Sequence, residues 1–161
     1  MNFKRTWFDC SENVLFNHEN IEVRQRYLYM ITKDNHIIIV SKDGTKWQFP
    51  GGHPEGNETW RETLIREIWE ESGVKIENLL EKIQKFGYYL IEEDGIKYLQ
   101  ERYILFLDKS SNELDLIPHE REDDHTEIIK FVKDVPVSDL PKFIPWITEV
   151  EDWKKAEEFL D

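Results

Sequence analysis

The chain predicts a mixed α/β or α+β domain on three observations. Strand-like runs rich in Val, Ile, Tyr and Phe occupy both halves of the sequence. One segment between them carries helical spacing, and Gly, Pro, Asn and Asp punctuate the joins. Trp7 to Asn20 mixes aromatic and polar residues and reads as irregular or weakly stranded. Val23 to Thr32 predicts the first full strand, Lys33 to His36 a turn, and His36 to Ser41 the partner strand. After an Asp43-Gly44 turn, Trp47-Gln48-Phe49 is short and extended, ending at Pro50-Gly51-Gly52.

Trp60, Leu64, Ile65, Ile68 and Trp69 are spaced as one buried face, which predicts a helix from about Thr59 to Ser72, with Gly73 as its stop. Strands follow over Lys85 to Ile91 and Tyr98 to Leu107, joined at Glu92 to Gly95. An acidic loop, His119 to Thr126, precedes a last strand at Ile128 to Val132. From about residue 138 the tail reads as one or two helices broken at Pro141 and Pro145.

The length of 161 residues suits one domain, taken as 1–161, with that helical tail. Ordinary apolar content with abundant aromatics marks a folded chain despite the high charge. The single cysteine, Cys10, excludes an internal disulfide framework and a cysteine-rich metal site. It suits a reducing cytosol, so a cytoplasmic location is expected. No apolar run has the length of a membrane span, and Met1 to Arg5 does not begin a secretory leader. A net charge of -13 repels a polyphosphate backbone, which disfavours nucleic acid as partner. A small anion escorted by a cation remains compatible.

The informative stretch is Trp47 to Val74. Glu67, Glu70 and Glu71 are related by three and four residues and project from one side of the predicted helix. Like charges so placed repel, and a hard cation among their oxygens would reverse that cost. A solvated acidic face paired locally with Arg61 and Arg66 is the competing reading.

The wider spacing separates the two. From Gly52 the chain reads Gly, five residues, Glu58, seven residues, then Arg66-Glu67-Ile68-Trp69-Glu70-Glu71-Ser72-Gly73-Val74. This resembles the complete Nudix box, and Phe49-Pro50-Gly51-Gly52 resembles its usual entry. Seven fixed identities would coincide by chance at roughly one start in a hundred million at ordinary residue usage. One position departs: Asn57 stands where relatives often carry Gly before the first Glu.

The resemblance implies a Nudix-type α/β/α sandwich with a mixed sheet. It implies hydrolysis of a phosphoanhydride bond in a small nucleotide-type substrate: a nucleoside triphosphate, a nucleotide sugar or a dinucleoside polyphosphate. It implies magnesium, or manganese, held by Glu67, Glu70, Glu71 and the Gly51 carbonyl, with Arg66 pairing with and orienting the glutamates. The catalytic set it suggests is Arg66, Glu67, Glu70 and an acidic residue from the later loop, Glu127 ahead of Glu122. A catalytically silent Nudix domain, serving as nucleotide sensor or interaction module, is the alternative. The intact Glu67, Glu70 and Glu71 favour the enzyme.

Arg24, Arg26 and Arg102, with Lys46, lie on or beside predicted strands and are candidate phosphate contacts, since guanidinium forks match phosphate oxygens. Surface pairing is the competing role for each. Tyr88 and Tyr89 fall at the distance past the box where some diadenosine polyphosphate hydrolases carry a base-stacking Tyr, although a core role suits an aromatic strand better. The Pro of ADP-ribose-cleaving relatives is absent there. His53, His119 and His125 are expected at the surface. The aromatic tail (Phe143, Trp146, Trp153, Phe159, Leu160) would pack on the sheet, cover the substrate or form a homodimer contact.

Overall fold

The structure, a computed structural model, describes residues 2–10, 18, 20–119 and 128–160. Its strands are β1 (Phe3–Asp9), β2 (Val23–Ile31), β3 (His36–Ser41), β4 (Trp47–Gln48), β5 (Gly51–Gly52), β6 (Gln84–Glu93), β7 (Ile96–Phe106) and β8 (Phe131–Pro136). Its α-helices are α1 (Trp60–Ser72), α2 (Leu140–Phe143) and α3 (Glu151–Glu157). The strands form one mixed sheet in the order β1-β6-β7-β2-β3-β4, with β5 against β2 and β8 against β3. The β2–β7 pair is parallel and its register sets Arg26 beside Glu101 and Tyr27 beside Arg102.

Both faces of the sheet are covered, which is why its central strands are apolar at consecutive positions rather than alternate ones. Leu28, Met30, Ile38, Tyr103 and Leu105 pack under Leu64 and Ile68 of α1. Tyr29, Ile31, Ile37, Ile39 and Ile104 turn the other way, against Leu140, Ile147, Trp153 and Ala156 of the tail. This is the expected α/β/α layering with a mixed sheet. Helix α1 starts at a capping box between Thr59 and Glu62 and stops at a left-handed Gly73.

Several elements depart from the sequence reading. The N-terminal residues Phe3–Asp9 form a full strand paired antiparallel with β6, because β6 supplies a ladder partner that local composition does not reveal. The last strand runs Phe131–Pro136, later than Ile128 to Val132, in full register with β3. Pro136 is accepted because it closes the strand's end. Pro141 stands in the first turn of α2 instead of breaking a helix. Trp69 leaves the buried face of α1 and stacks on His119 at 4.1 Å, while Glu67, Glu70 and Glu71 are buried. Among the described residues no helix is long and apolar enough to cross a membrane.

Candidate active site

The site begins at the turn from β4 into β5. Gly51 has φ +144°, and a Cβ there would lie 2.1 Å from the Arg26 carbonyl oxygen, so only glycine fits between β2 and α1. Its N–H donates to Glu71 Oε1 at 2.9 Å. At Gly52 a Cβ would stand 2.7 Å from the carboxylate carbon of Glu67. The bare backbone thus lets two carboxylates of α1 lie directly on the turn.

Arg66 organises the remainder. Nε and Nη2 fork onto the two oxygens of Glu58 at 2.8 and 2.9 Å, Nη1 reaches Glu67 Oε1 at 2.7 Å and Glu70 Oε2 at 3.5 Å, and Nη2 also donates to the His53 carbonyl at 3.0 Å. The bidentate contact holds the Glu58 carboxyl down at about 2, and the same bonds push the Arg66 guanidinium upward. Glu58 also accepts from Thr63 Oγ1 at 3.3 Å, and Thr63 accepts from Arg26 Nη1 at 3.0 Å. Arg26 in turn bonds Glu101 at 2.8 Å, where Tyr103 and Lys85 converge as well. A polar chain therefore runs from the middle of the sheet to Glu67.

Glu67, Glu70 and Glu71 are 8%, 8% and 5% exposed. Hard oxygen donors gathered in a buried face are the kind that magnesium or manganese takes. Arg66 by itself offsets one of the charges around it. Among the described residues, no three acidic, His or Cys side chains already stand around a single point. The fit to a divalent cation therefore rests on donor type and burial.

Across Gly51 lies a cavity of about 550 Å³ on the tail side of the sheet. Tyr27, Trp47, Phe49, Phe143 and Trp146 supply its rings, and Arg102 and Asp152 stand in its wall. Tyr27 joins the two regions: a Cβ on Gly51 would sit 2.9 Å from its ring, and burial, with the nearby charges of Glu71 and Glu67, raises its hydroxyl against the pull of Arg102.

The three candidate arginines part company. Arg24 is partly exposed, pairs with Glu22 at 3.2 Å and lies over the Tyr98 ring. Arg26 faces α1 in the pair with Glu101. Arg102 faces the tail, bonded to Asp152 at 3.0 Å between the rings of Tyr27 and Tyr89. Lys46 borders the cavity. Tyr88 and Tyr89 are buried, bonded to His18 and Asp152 respectively. His53 bonds the Pro54 carbonyl. Glu122, His125 and Glu127 lie outside the described residues. Sequence reasoning passed over Thr63, Glu101 and Asp152. An acid and a base side by side within an apolar strand were a readable signal for Glu101, while nothing local distinguished Asp152.

An α/β/α sandwich whose box helix carries buried carboxylates against a double-glycine turn defines a class, and comparison with known proteins agrees. The family model described as NUDIX domain matches residues 23–154. The chain belongs to the Nudix family. Among solved structures, the Ap4A hydrolase of C. elegans is 17% identical with a TM-score of 0.58, covering 88% of this chain and 100% of that one. The NUDIX domain of Shewanella oneidensis NrtR, complexed with ADP ribose, is 13% identical with a TM-score of 0.61 over 92% of this chain and 97% of that one. The Bacillus subtilis pyrophosphohydrolase BsRppH, in a mutant form, is 15% identical with a TM-score of 0.55 over the same shares, 92% and 97%. At such identities the likeness concerns the fold.

Proposed function

We propose that this Nudix protein hydrolyses a phosphoanhydride bond in a small nucleotide-type substrate with the help of a divalent cation. The observation that carries the reading is the placement of Glu67 and Glu71 directly on the Gly51–Gly52 turn, whose ladder partner Tyr27 lines a ring-rich cavity. The cavity would take the nucleoside part, leaving the phosphates beside the carboxylates of α1.

Glu67, Glu70, Glu71 and the Gly51 carbonyl would hold magnesium or manganese. A cation bound there would draw charge from the phosphate oxygens and acidify a water molecule. Arg66 fixes the direction of Glu67 and Glu70 by Nη1 while its fork on Glu58 keeps the guanidinium in place. Glu67 is the side chain of this set that would accept the proton of the attacking water. An acidic residue of the later loop, Glu127, is the other acceptor proposed. The Gly turn excludes bulk from the place where phosphate must approach.

Phosphate release measured over a panel of nucleoside triphosphates, nucleotide sugars and dinucleoside polyphosphates with magnesium tests the reading. Turnover that disappears in Glu71→Gln is the expected result. Nucleotide binding without turnover, unchanged in Glu71→Gln, would establish a silent sensing domain instead.

A further inference from the structure

Arg102 is an unusual lining for an aromatic cavity. Its guanidinium is clamped on all but one side: Nε is bonded to Asp152 Oδ2 at 3.0 Å, Nη1 donates to the Glu101 carbonyl at 3.3 Å, and the rings of Tyr27 and Tyr89 lie 4.7 and 5.3 Å from its centre. Asp152 is held in turn by the hydroxyls of Tyr29 at 2.6 Å and Tyr89 at 3.2 Å, with the Trp153 N–H at 2.9 Å. Nη2 has no hydrogen-bond partner among the described residues. No buried side-chain nitrogen or oxygen among them lacks a partner. Nη2 must therefore reach open space, and the open space at Arg102 is the cavity.

We propose that Arg102 selects the substrate's base, and that the base it accepts is a purine with a carbonyl oxygen beside a bare ring nitrogen, as guanine presents. This rests on the nucleotide reading above. The charge of Arg102 is already matched by Asp152, so a neutral acceptor suits it better than a phosphate, which would meet the Asp152 carboxylate as well. An N–H of Nη2 facing the cavity can be shared by the O6 and N7 acceptors that guanine sets side by side. Adenine keeps N7 but places an amino donor where guanine has O6, so the Nη2 donor would keep only one acceptor and face a second donor in a desolvated wall. The rings of Tyr27, Trp47, Phe49 and Trp146 offer the flat surfaces that a two-ring base covers. The guanidinium cannot swing away to suit another base, because Asp152 and the two tyrosine rings hold it.

Binding without metal keeps this test apart from hydrolysis. Calorimetry on the unaltered chain with GMP, AMP, 7-deaza-GMP and inorganic pyrophosphate is the measurement. GMP is expected to bind on the order of tenfold or more tighter than both AMP and 7-deaza-GMP, the size of one good guanidinium–guanine contact. In Arg102→Gln/Asp152→Asn, which removes both charges together, that preference should shrink to within twofold. Arg102→Lys, whose shorter side chain ends short of the Nη2 position, should lose the discrimination against 7-deaza-GMP. AMP binding as tightly as GMP would overturn the proposal, as would absence of GMP binding. So would loss of pyrophosphate affinity equal to that for GMP in the Arg102 variants, which would make Arg102 a phosphate contact. The GMP-to-AMP ratio of the unaltered chain decides even where a variant does not fold. Selectivity without turnover would sink the hydrolase reading alone.

Discussion

Glu101 and Arg102 are neighbours on β7, and they serve opposite layers of the molecule. Glu101 turns toward α1, where Arg26, Lys85 and Tyr103 surround it and Thr63 passes the chain on to Glu58 and Arg66. Arg102 turns toward the tail, where Asp152 and two tyrosines hold it at the wall of the aromatic cavity. The first network ends on carboxylates and fixes where phosphate chemistry is proposed. The second ends on a donor edge and fixes what is proposed to fit beside it. A strand with a period of two delivers both from consecutive residues.

The largest expected effect separates chemistry from stability. Glu67→Gln should lower kcat by on the order of 10²–10⁴, the range for removing a positioned proton acceptor, while the melting temperature stays near that of the parent. Asp152→Ala, on the other face, should act first on stability. Leaving Arg102 buried without its partner should cost about 3–5 kcal/mol in denaturant unfolding.

A smaller effect concerns the α1 network. Thr63→Val removes the acceptor of Arg26 Nη1 and the donor to Glu58, and should cost about 1–3 kcal/mol, with Thr63→Ser restoring most of it. The smallest is a matter of pH. The Glu58 carboxyl lies at about 2 in the fold against 4.5 ordinarily, because Arg66 forks onto it. A lowered folded value means the contribution is complete above about 4.5 and is lost as pH falls toward about 2. Stability followed across that window should therefore decline less steeply in Glu58→Gln than in the parent.

The two regions also differ in how far the sequence disclosed them. The box is local: Gly52, Glu58, Arg66, Glu67, Glu70 and Glu71 lie on one turn, one helix and the loop between them, so a single spaced motif and its resemblance to the Nudix box brought them forward. The cavity draws on residues from Gln25 to Asp152, and no spacing rule joins Tyr27 to Trp146 across the chain. Strand β1 was legible only as a weakly stranded or irregular reading from Trp7 for the same reason, since its ladder partner β6 lies far along the chain, Phe3 opposite Glu93. In α1 the apolar period correctly placed Leu64 and Ile68 in the core, yet the same period gave no hint that the carboxylate side would be covered too. That covering comes from β5 and from the segment around Ile117 and His119, whose N–H groups bond the carbonyls of Ser72 and Glu70.

The adjacency of Glu101 and Arg102 also bears on how the chain finds its alignment during folding. A slide of β7 by one residue against β2 would turn every side chain to the wrong face. The apolar residues would tolerate it, because Tyr103, Ile104 and Leu105 are buried on either side. The charges would not: a slide one way would carry Glu101 into the place of Arg102, beside Asp152, and a slide the other way would carry Arg102 into the place of Glu101, beside Arg26. Either misaligned contact would set like charge against like in a dry interior. In a parallel pair with no hairpin turn to set its alignment, two oppositely charged neighbours act as a key that fits one way round.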